Sequence, residues 1–503
     1  MKSLFQPRAL TQSKPTISQQ MLNEACEWAI MHGVAFRRDD NTARHCPFSI
    51  APMTMQRPVF EHLTKVTPLL TKLIDRVSED HDFLQTELAD VAKADPFFER
   101  LLSLHHQVHG SKNQRLTPAR KPLLLMRTDY MDDREHGAKV IEFNGIAAGM
   151  APFGQRATEL HDFLRLQWPQ EFEGFLEHKQ SVSADNKGLT QLASGIAQAA
   201  QKVAADFAIK FSGGNAQTQT VPTFLMVVQE NEDNVYDQHL LEVALQQRGI
   251  RTVRRTFEQL SSQLSTGEHQ RLILEGIGGI DVVYLRAGYQ YADYYSPQRD
   301  EAICCEALSQ TRLFIEQHHV AVNATFSQQL ATSKTVQMLL TIMPAEAYSR
   351  WGLTLEEAHL VKSVLAEMKP INTDTINWFN RHPNKQEWVL KNQGEGGGHC
   401  VFGKDISAKL NSLTPKEYDA WALMQRLFPH EREVATIAVR DSEQTWVNDL
   451  VSEIGLFTAY FDGQPVTALN GYAGYLIRSK PASENEGGIH SGQGILDSLV
   501  LVD

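Results

Sequence analysis

The sequence predicts a mixed protein of the α+β and α/β classes, on three observations. Residues 60–110 repeat apolar side chains at helical spacing, the middle of the chain alternates strand with helix, and the last third is rich in strands and glycine turns. In the first region Phe60, Leu63, Val66, Leu69, Leu70 and Leu73 recur at intervals of three and four, one buried face of a helix. Leu84, Leu88, Val91 and Phe97 continue the pattern. Residues 122–126 and 139–143 then form apolar runs on either side of the charged turn 132–137, two strands. Residues 224–228, 250–254 and 280–285 read as strands and 240–247 as a helix, so a parallel α/β subdomain is expected over 219–332. That leaves 1–218 and 333–503 as the flanking units. Near the C-terminus residues 456–460 and 465–469 flank Asp462-Gly463, a hairpin turn signal, and residues 481–494 read as a mobile surface loop.

The 503 residues allow about three domain-sized units. A formal net charge of −12 argues against a general nucleic-acid binder, whose phosphate contacts demand excess lysine and arginine. It leaves room for an anionic small molecule, which a few converging cations suffice to hold. No stretch approaches the roughly 18 apolar residues of a membrane helix, and residues 1–16 lack the apolar run of a secretory signal. A cytosolic protein is expected. The cysteines, Cys26, Cys46, Cys304, Cys305 and Cys400, form no CxxC pair. Cys304-Cys305 reads as two buried thiols on a helix.

Three clusters carry candidate chemistry. In the first, Lys391 ends a strand and is followed by Glu395 and Gly396-Gly397-Gly398. Backbone N–H groups without side chains in the way are able to approach phosphate oxygens closely, the lysine adds positive charge, and the glutamate offers a metal ligand. The same glycines would also serve as a flexible hairpin tip. In the second, Glu142 and Asn144 lie two apart and so share one strand face, an oxygen pair suited to Mg²⁺ or an ordinary solvated face. In the third, Arg478 and Lys480 precede the glycine- and serine-rich loop, while Arg127 and Arg286 follow apolar runs. Each arginine could clamp an anion bidentately or pair with a surface acid. His105, His106 and His109 make one i,i+4 pair without HExxH and read as a trio on a helix surface. No GxSxG occurs, which removes support for a hydrolase nucleophile elbow.

The order of short motifs resembles the eukaryotic-type glutathione synthetases. It runs from Met126-Arg-Thr-Asp-Tyr130 and Ile141-Glu-Phe-Asn144 through Gln229-Glu-Asn-Glu-Asp-Asn234, Val283-Tyr-Leu-Arg286, Gly288-Tyr289 and Ser333-Lys334. It ends with Val389-Leu-Lys391 up to Gly398, Ser452-Glu-Ile-Gly455, Leu476-Ile-Arg-Ser-Lys480 and Gly487-Gly488. The resemblance implies an ATP-grasp fold with antiparallel sheets and helices, an inserted parallel α/β substrate-binding subdomain, and a homodimer. It implies Glu142, Asn144 and Glu395 as Mg²⁺ ligands, and Lys334 and Lys391 on the phosphates beside Gly396 to Gly398. Phe402, Met424, Leu427, Glu453, Lys480 and Glu486 fall at nucleotide positions. Arg127, Gly149, Asn234, Gln238, Arg286, Tyr289, Arg478, Ile489 and His490 fall at substrate positions, with Arg478, Lys391 and Lys334 taking part in catalysis.

The reaction so implied joins γ-glutamylcysteine to glycine. ATP phosphorylates the cysteinyl carboxylate, and the glycine amine attacks the acyl phosphate. The sequence departs from the family pattern in places. Gly394 stands where an arginine usually precedes the metal-binding glutamate, His399-Cys400 where asparagines follow the glycines, and Ala147 and Gly149 where serines follow the E-x-N motif. Glu486 stands for the usual aspartate, and Ile489-His490 for small residues. Another acceptor, such as β-alanine or serine, or an inactive nucleotide-binding relative, are the alternatives; the retained Glu142, Asn144, Glu395, Lys334 and Lys391 speak against inactivity.

Overall fold

In the computed structural model, which describes residues 15–208, 221–297, 299, 305–394, 400–485, 487–489 and 494–503, one sheet of 13 strands organises the chain. Its spine is Lys121–Asp133. One edge of this strand pairs antiparallel with Leu450–Phe461, which pairs antiparallel with Tyr472–Pro481. The other edge pairs at its start with Ala321–Asn323, in parallel, and further on with Gly137–Asn144 as a hairpin. Beyond Ala321–Asn323 follow Val282–Leu285, Thr223–Val227 and Arg251–Arg255, each parallel to its neighbour. Every residue of Thr223–Val227 and Val282–Leu285 is buried. Such unbroken apolar runs are what a parallel sheet covered on both faces requires. These strands are hydrogen-bonded into the same sheet as the antiparallel ones, so parallel and antiparallel parts share one ladder. A separate antiparallel sheet runs Met368–Pro370, Trp421–Gln425, Trp388–Asn392 and Cys400–Phe402 in that order.

The helical region begins with Arg57–Ser78, which has proline in its first turn. Its apolar face buries Phe60, Leu63, Val66, Leu70 and Leu73 in one core with Tyr130 and Leu456 of the sheet, while Leu69 is only half-buried. Each full burial contributes about 1.5–3 kcal/mol. The helices His81–Glu87, Ala89–Ala94 and Pro96–His109 follow. Asp95 caps the last, accepting from the N–H groups of Phe97 and Phe98.

Several expectations need correction. The histidine trio is not on the surface: His105 and His109 are 0% and 1% exposed, and only His106 is exposed. They belong to the same face as Phe98, Leu101 and Val108, which docks into the core. The second strand of the Asp462-Gly463 hairpin is Gln464–Pro465, shorter than expected. Asp462 and Gly463 both take positive φ, 51° and 77°, as a tight hairpin turn demands. Pro465 then lacks the N–H to continue the ladder, and the main partner of Leu450–Phe461 is Tyr472–Pro481. The loop after Pro481 is not wholly superficial, because Ile489 is 3% exposed and joins the main core. Cys305 is buried but precedes the helix Glu306–Glu316 as its cap residue instead of lying within it, and Cys304 is outside the described residues. Among the described residues no helix is long and apolar enough to cross a membrane.

Candidate active site

A cavity of about 1120 Å³ opens where the hairpin Lys121–Asp133/Gly137–Asn144, the C-terminal ends of the parallel strands and the four-stranded sheet meet. Ligands in open α/β sheets gather at that end of the strands. Arg286 directly follows Val282–Leu285, and Gln229 lies two residues past Thr223–Val227. Both line the cavity.

At one corner Glu142 faces two lysines. Lys334 Nζ lies 3.2 Å from Glu142 Oε2. Lys391 Nζ donates to the Ile141 carbonyl at 3.0 Å. Lys334 is the first residue of the helix Lys334–Ile342, fixed by Ser333, whose hydroxyl accepts from Val336 N–H. Burial alone would push the Glu142 carboxyl up; Lys334 and Lys391, then Arg127 and Arg478, outweigh it and hold the group far below the usual carboxylate range. Asn144 Nδ2 donates to Asp129 Oδ2 at 3.1 Å, which leaves its Oδ1 as the atom suited to a cation. An ionised carboxylate and an amide oxygen two apart on one strand fit a hard oxygen-seeking cation. Glu395 and Gly396 to Gly398 lie outside the described residues.

Across the cavity a buried carboxylate arranges two arginines. Asp129 is gripped by Arg127 through two bonds, Nε to Oδ1 at 2.6 Å and Nη2 to Oδ2 at 2.8 Å. Arg478 Nη2 donates to the same Oδ2 at 3.0 Å and pairs with Glu453 Oε2 at 2.9 Å. Lys480 lies 3.5 Å from the other Glu453 oxygen and donates to the Asn485 carbonyl at 2.7 Å, tying the loop to the strand below it. Asp129 was not anticipated as a functional residue. Its signal was its place two after Arg127, which puts both on one strand face.

A second carboxylate pair holds Arg286. Its Nη1 donates to Asp237 Oδ2 at 2.7 Å and its Nη2 faces Glu232 Oε1 at 3.4 Å. The guanidinium packs on Gly149, where a Cβ would sit 2.6 Å from Nη2. Asn234 lines the cavity and its buried Oδ1 has no hydrogen-bond partner among the described residues. Such an atom costs about 1–3 kcal/mol until a donor reaches it. Tyr289 Oη accepts from Gln229 Nε2 at 3.0 Å, and burial pushes its phenol up, so it stays neutral. Gln238 is the exception among the expected residues. It is buried behind the cavity wall, donating to Glu232 Oε2 at 2.6 Å and accepting from Arg254 at 3.1 Å.

The remaining wall is apolar. Ile141, Val389, Phe402, Met424 and Leu427 line it and belong to one cluster between the hairpin and the four-stranded sheet, a slot for a flat ring. Ile489 lines the cavity from the loop. Glu486 and His490 lie outside the described residues. Thus the described residues expected at the site border one cavity, Gln238 apart. Of the two acids that position Arg286, Glu232 lies within the motif Gln229 to Asn234, whereas Asp237 carried no recognisable signal in the sequence.

The family model "Eukaryotic glutathione synthase, ATP binding domain" matches residues 15–501. The glutathione synthetase of Solanum lycopersicum, described as chloroplastic, is 28% identical over 500 residues, 96% of this chain and 84% of that protein. The glutathione synthetase of Homo sapiens is 28% identical over 509 residues, 97% of this chain and 98% of that one. Among solved structures, a glutathione synthetase-like effector from Globodera pallida in its apo form superposes with a TM-score of 0.69. It is 17% identical, covers 98% of each chain, and so speaks to the fold. With the family model spanning nearly its whole length, the chain belongs to the eukaryotic glutathione synthase family.

Proposed function

We propose that this protein is the ATP-dependent ligase that joins γ-glutamylcysteine to glycine, giving glutathione, ADP and phosphate. The observation that carries the reading is the division of one cavity into three. It has a carboxylate–lysine corner for phosphates, an apolar slot for adenine, and arginines set on buried acids for the anionic ends of the peptide. The fold is read as ATP-grasp, with 219–332 as the peptide-binding subdomain between 1–218 and 333–503, and the protein as a cytoplasmic homodimer.

Glu142 and Asn144, with Glu395, hold Mg²⁺ in this reading. The ion supplies positive charge to the phosphate oxygens when bound. Lys334 and Lys391 counter the charge that shifts from ATP to the cysteinyl carboxylate. Phe402, Met424 and Leu427 hold the adenine, with Glu453 and Lys480 at its rim, and Glu486 is the further acid that the resemblance assigns to the nucleotide. Arg127, Arg286, Asn234 and Tyr289 orient the peptide, and Gln238 braces Glu232 behind them. Arg478 pairs with the acceptor carboxylate beneath the loop that carries Ile489 and His490. The glycine amine then attacks the acyl phosphate, and phosphate leaves. Closure of the loop keeps water from the acyl phosphate.

The test is phosphate release with ATP, Mg²⁺ and γ-glutamylcysteine, adding glycine, β-alanine or serine in turn. Release that depends on glycine above the others is expected. A methylene changes binding by about 1–3 kcal/mol, so weaker turnover with β-alanine is compatible with the reading. Preference for β-alanine or serine overturns the glycine assignment, and no release with any acceptor overturns the ligase.

A further inference from the structure

We propose that His81, His105 and His109 form a binding site for a transition-metal dication of the zinc class, separate from the catalytic cavity. His105 and His109 lie one helical turn apart on Pro96–His109, and His81 opens the neighbouring helix His81–Glu87. The rings pack together, with centroids 3.6 Å apart for His81 and His109, 4.7 Å for His105 and His109, and 5.3 Å for His81 and His105. One ring nitrogen from each falls within 4.8 Å of the others. None of the three lines the catalytic cavity.

The nitrogens lack the partners that an ordinary buried histidine has. Both nitrogens of His105 and the Nδ1 atoms of His81 and His109 are buried without a hydrogen bond among the described residues. Such atoms are costly to leave unpaired, and a shared cation would satisfy one on every ring. A neutral imidazole offers one ring lone pair, which is what a metal ligand needs.

Glu79 flanks the cluster, its Oε2 3.9 Å from His81 Nε2 and its Oε1 3.7 Å from Arg120 Nη1. His81, Glu79, Asp80 and Asp82 line a surface cavity of about 620 Å³, a route in from solvent. His109 Nε2 lies 3.1 Å from Ser327 Oγ. Arg120 Nη2, which can only donate, lies 3.2 Å from the same nitrogen, so without metal Nε2 accepts and Nδ1 carries the proton; coordination through Nδ1 moves that proton to Nε2, facing Ser327, and turns Arg120 aside. The cations facing the cluster are paired: Arg120 with Glu316 at 3.4 Å and Glu79 at 3.7 Å, and Arg115 with Asp82. Three imidazoles select zinc, cobalt, nickel or copper over magnesium. The His81 and His109 rings stack at an interplanar angle of 23°, so their in-plane lone pairs run side by side, and one ring must turn before metal–nitrogen bonds of about 2.0–2.1 Å form.

The test uses chelator-treated full-length protein in excess Mg²⁺, titrated with Co²⁺ and followed by its visible absorption, then with Zn²⁺ by calorimetry. The parent should bind one ion per chain and melt at a higher temperature when loaded. His81→Gln and His109→Gln should each weaken binding by at least about tenfold. His81 is half-buried at a helix start, so His81→Gln should keep the metal-free melting temperature and the ligase turnover of the parent. Failure of the parent to bind either ion, or equal binding by His81→Gln, overturns the site. Because the readout is metal affinity, the outcome is independent of which amine the ligase accepts.

Discussion

Replacing Gly149 with alanine should damage recognition of the dipeptide and leave ATP binding alone. A Cβ at this position lies 2.6 Å from Arg286 Nη2 and 2.7 Å from Cζ and Nη1. That is about an ångström inside the optimal separation of non-bonded atoms. A free arginine tip would swing aside at little cost, but this one is anchored. Nη1 is held by Asp237 at 2.7 Å, and Asp237 Oδ2 also accepts from Met150 N–H at 3.1 Å. Displacing the guanidinium gives up a charged hydrogen bond worth about 1.5–3 kcal/mol. At 1.4 kcal/mol per tenfold, KM for γ-glutamylcysteine should rise roughly 10- to 150-fold. The assay is steady-state phosphate release, varying the dipeptide at saturating ATP and glycine, then varying ATP. An unchanged dipeptide KM would show that the arginine yields freely or never touches the peptide, and would refute the reasoning.

Lys391→Ala should lower turnover by about 10²-fold and weaken ATP binding, since it removes one of two lysines that face Glu142; calorimetry with ATP and single-turnover rates check this. Asp129→Asn keeps the shape but removes the charge between Arg127 and Arg478, so KM for glycine should rise by about tenfold, the worth of one weakened charged hydrogen bond. Unaltered glycine kinetics would detach Asp129 from the acceptor site. Asp75 lies buried on the helix Arg57–Ser78, and burial, then Glu79, push its carboxyl from 3.8 up to about 7. The folded chain therefore binds the proton more tightly than the unfolded one, and this group's contribution to stability falls as pH rises from about 4 through about 7. Asp75→Asn should melt close to the parent below pH 4 and progressively above it toward pH 8; a difference that does not change with pH would remove Asp75 as the source.

Local periodicity made the elements legible. The threes and fours of Phe60 to Leu73 and the apolar runs at 224–228 and 280–285 each carry their period within a few residues. What escaped depends on partners distant in sequence. Arg478 and Asp129 are 349 positions apart, so nothing near either one reveals that they share a hydrogen bond. Gly149 marks a close approach whose other party, Arg286, lies on another element. The histidines were misplaced for the same reason: helical spacing assigns His105 and His109 to one face without saying whether that face meets water or core. The turn at Asp462-Gly463 was legible because its positive φ is a property of the residues themselves, whereas the strand after it depended on where the chain returned. The list of site residues came from the order of motifs. Composition and spacing alone left phosphate loop and hairpin tip, cation site and solvated face, side by side.

The continuous ladder has a mechanical consequence. Lys121–Asp133, Gly137–Asn144, Leu450–Phe461 and Tyr472–Pro481 carry Arg127, Glu142, Glu453 and Arg478 as hydrogen-bonded neighbours, with Arg286 at the end of a strand in the same sheet. These groups ride on one stiff plate, and changing the distances between them would mean shearing rows of backbone bonds. Among the described residues the four-stranded sheet that bears Lys391 and Met424 shares no such row with the plate; isolated bridges, Val140 with Leu365 and Asp133 with Pro429, lie nearby. A change in cavity shape that breaks the fewest backbone bonds would open the gap between Lys391 and Glu142, which the Lys391–Ile141 hydrogen bond spans at 3.0 Å. On that construction the arginine end of the cavity would act as a fixed gauge, and the Lys391 end as a jaw that adjusts to what is placed against it.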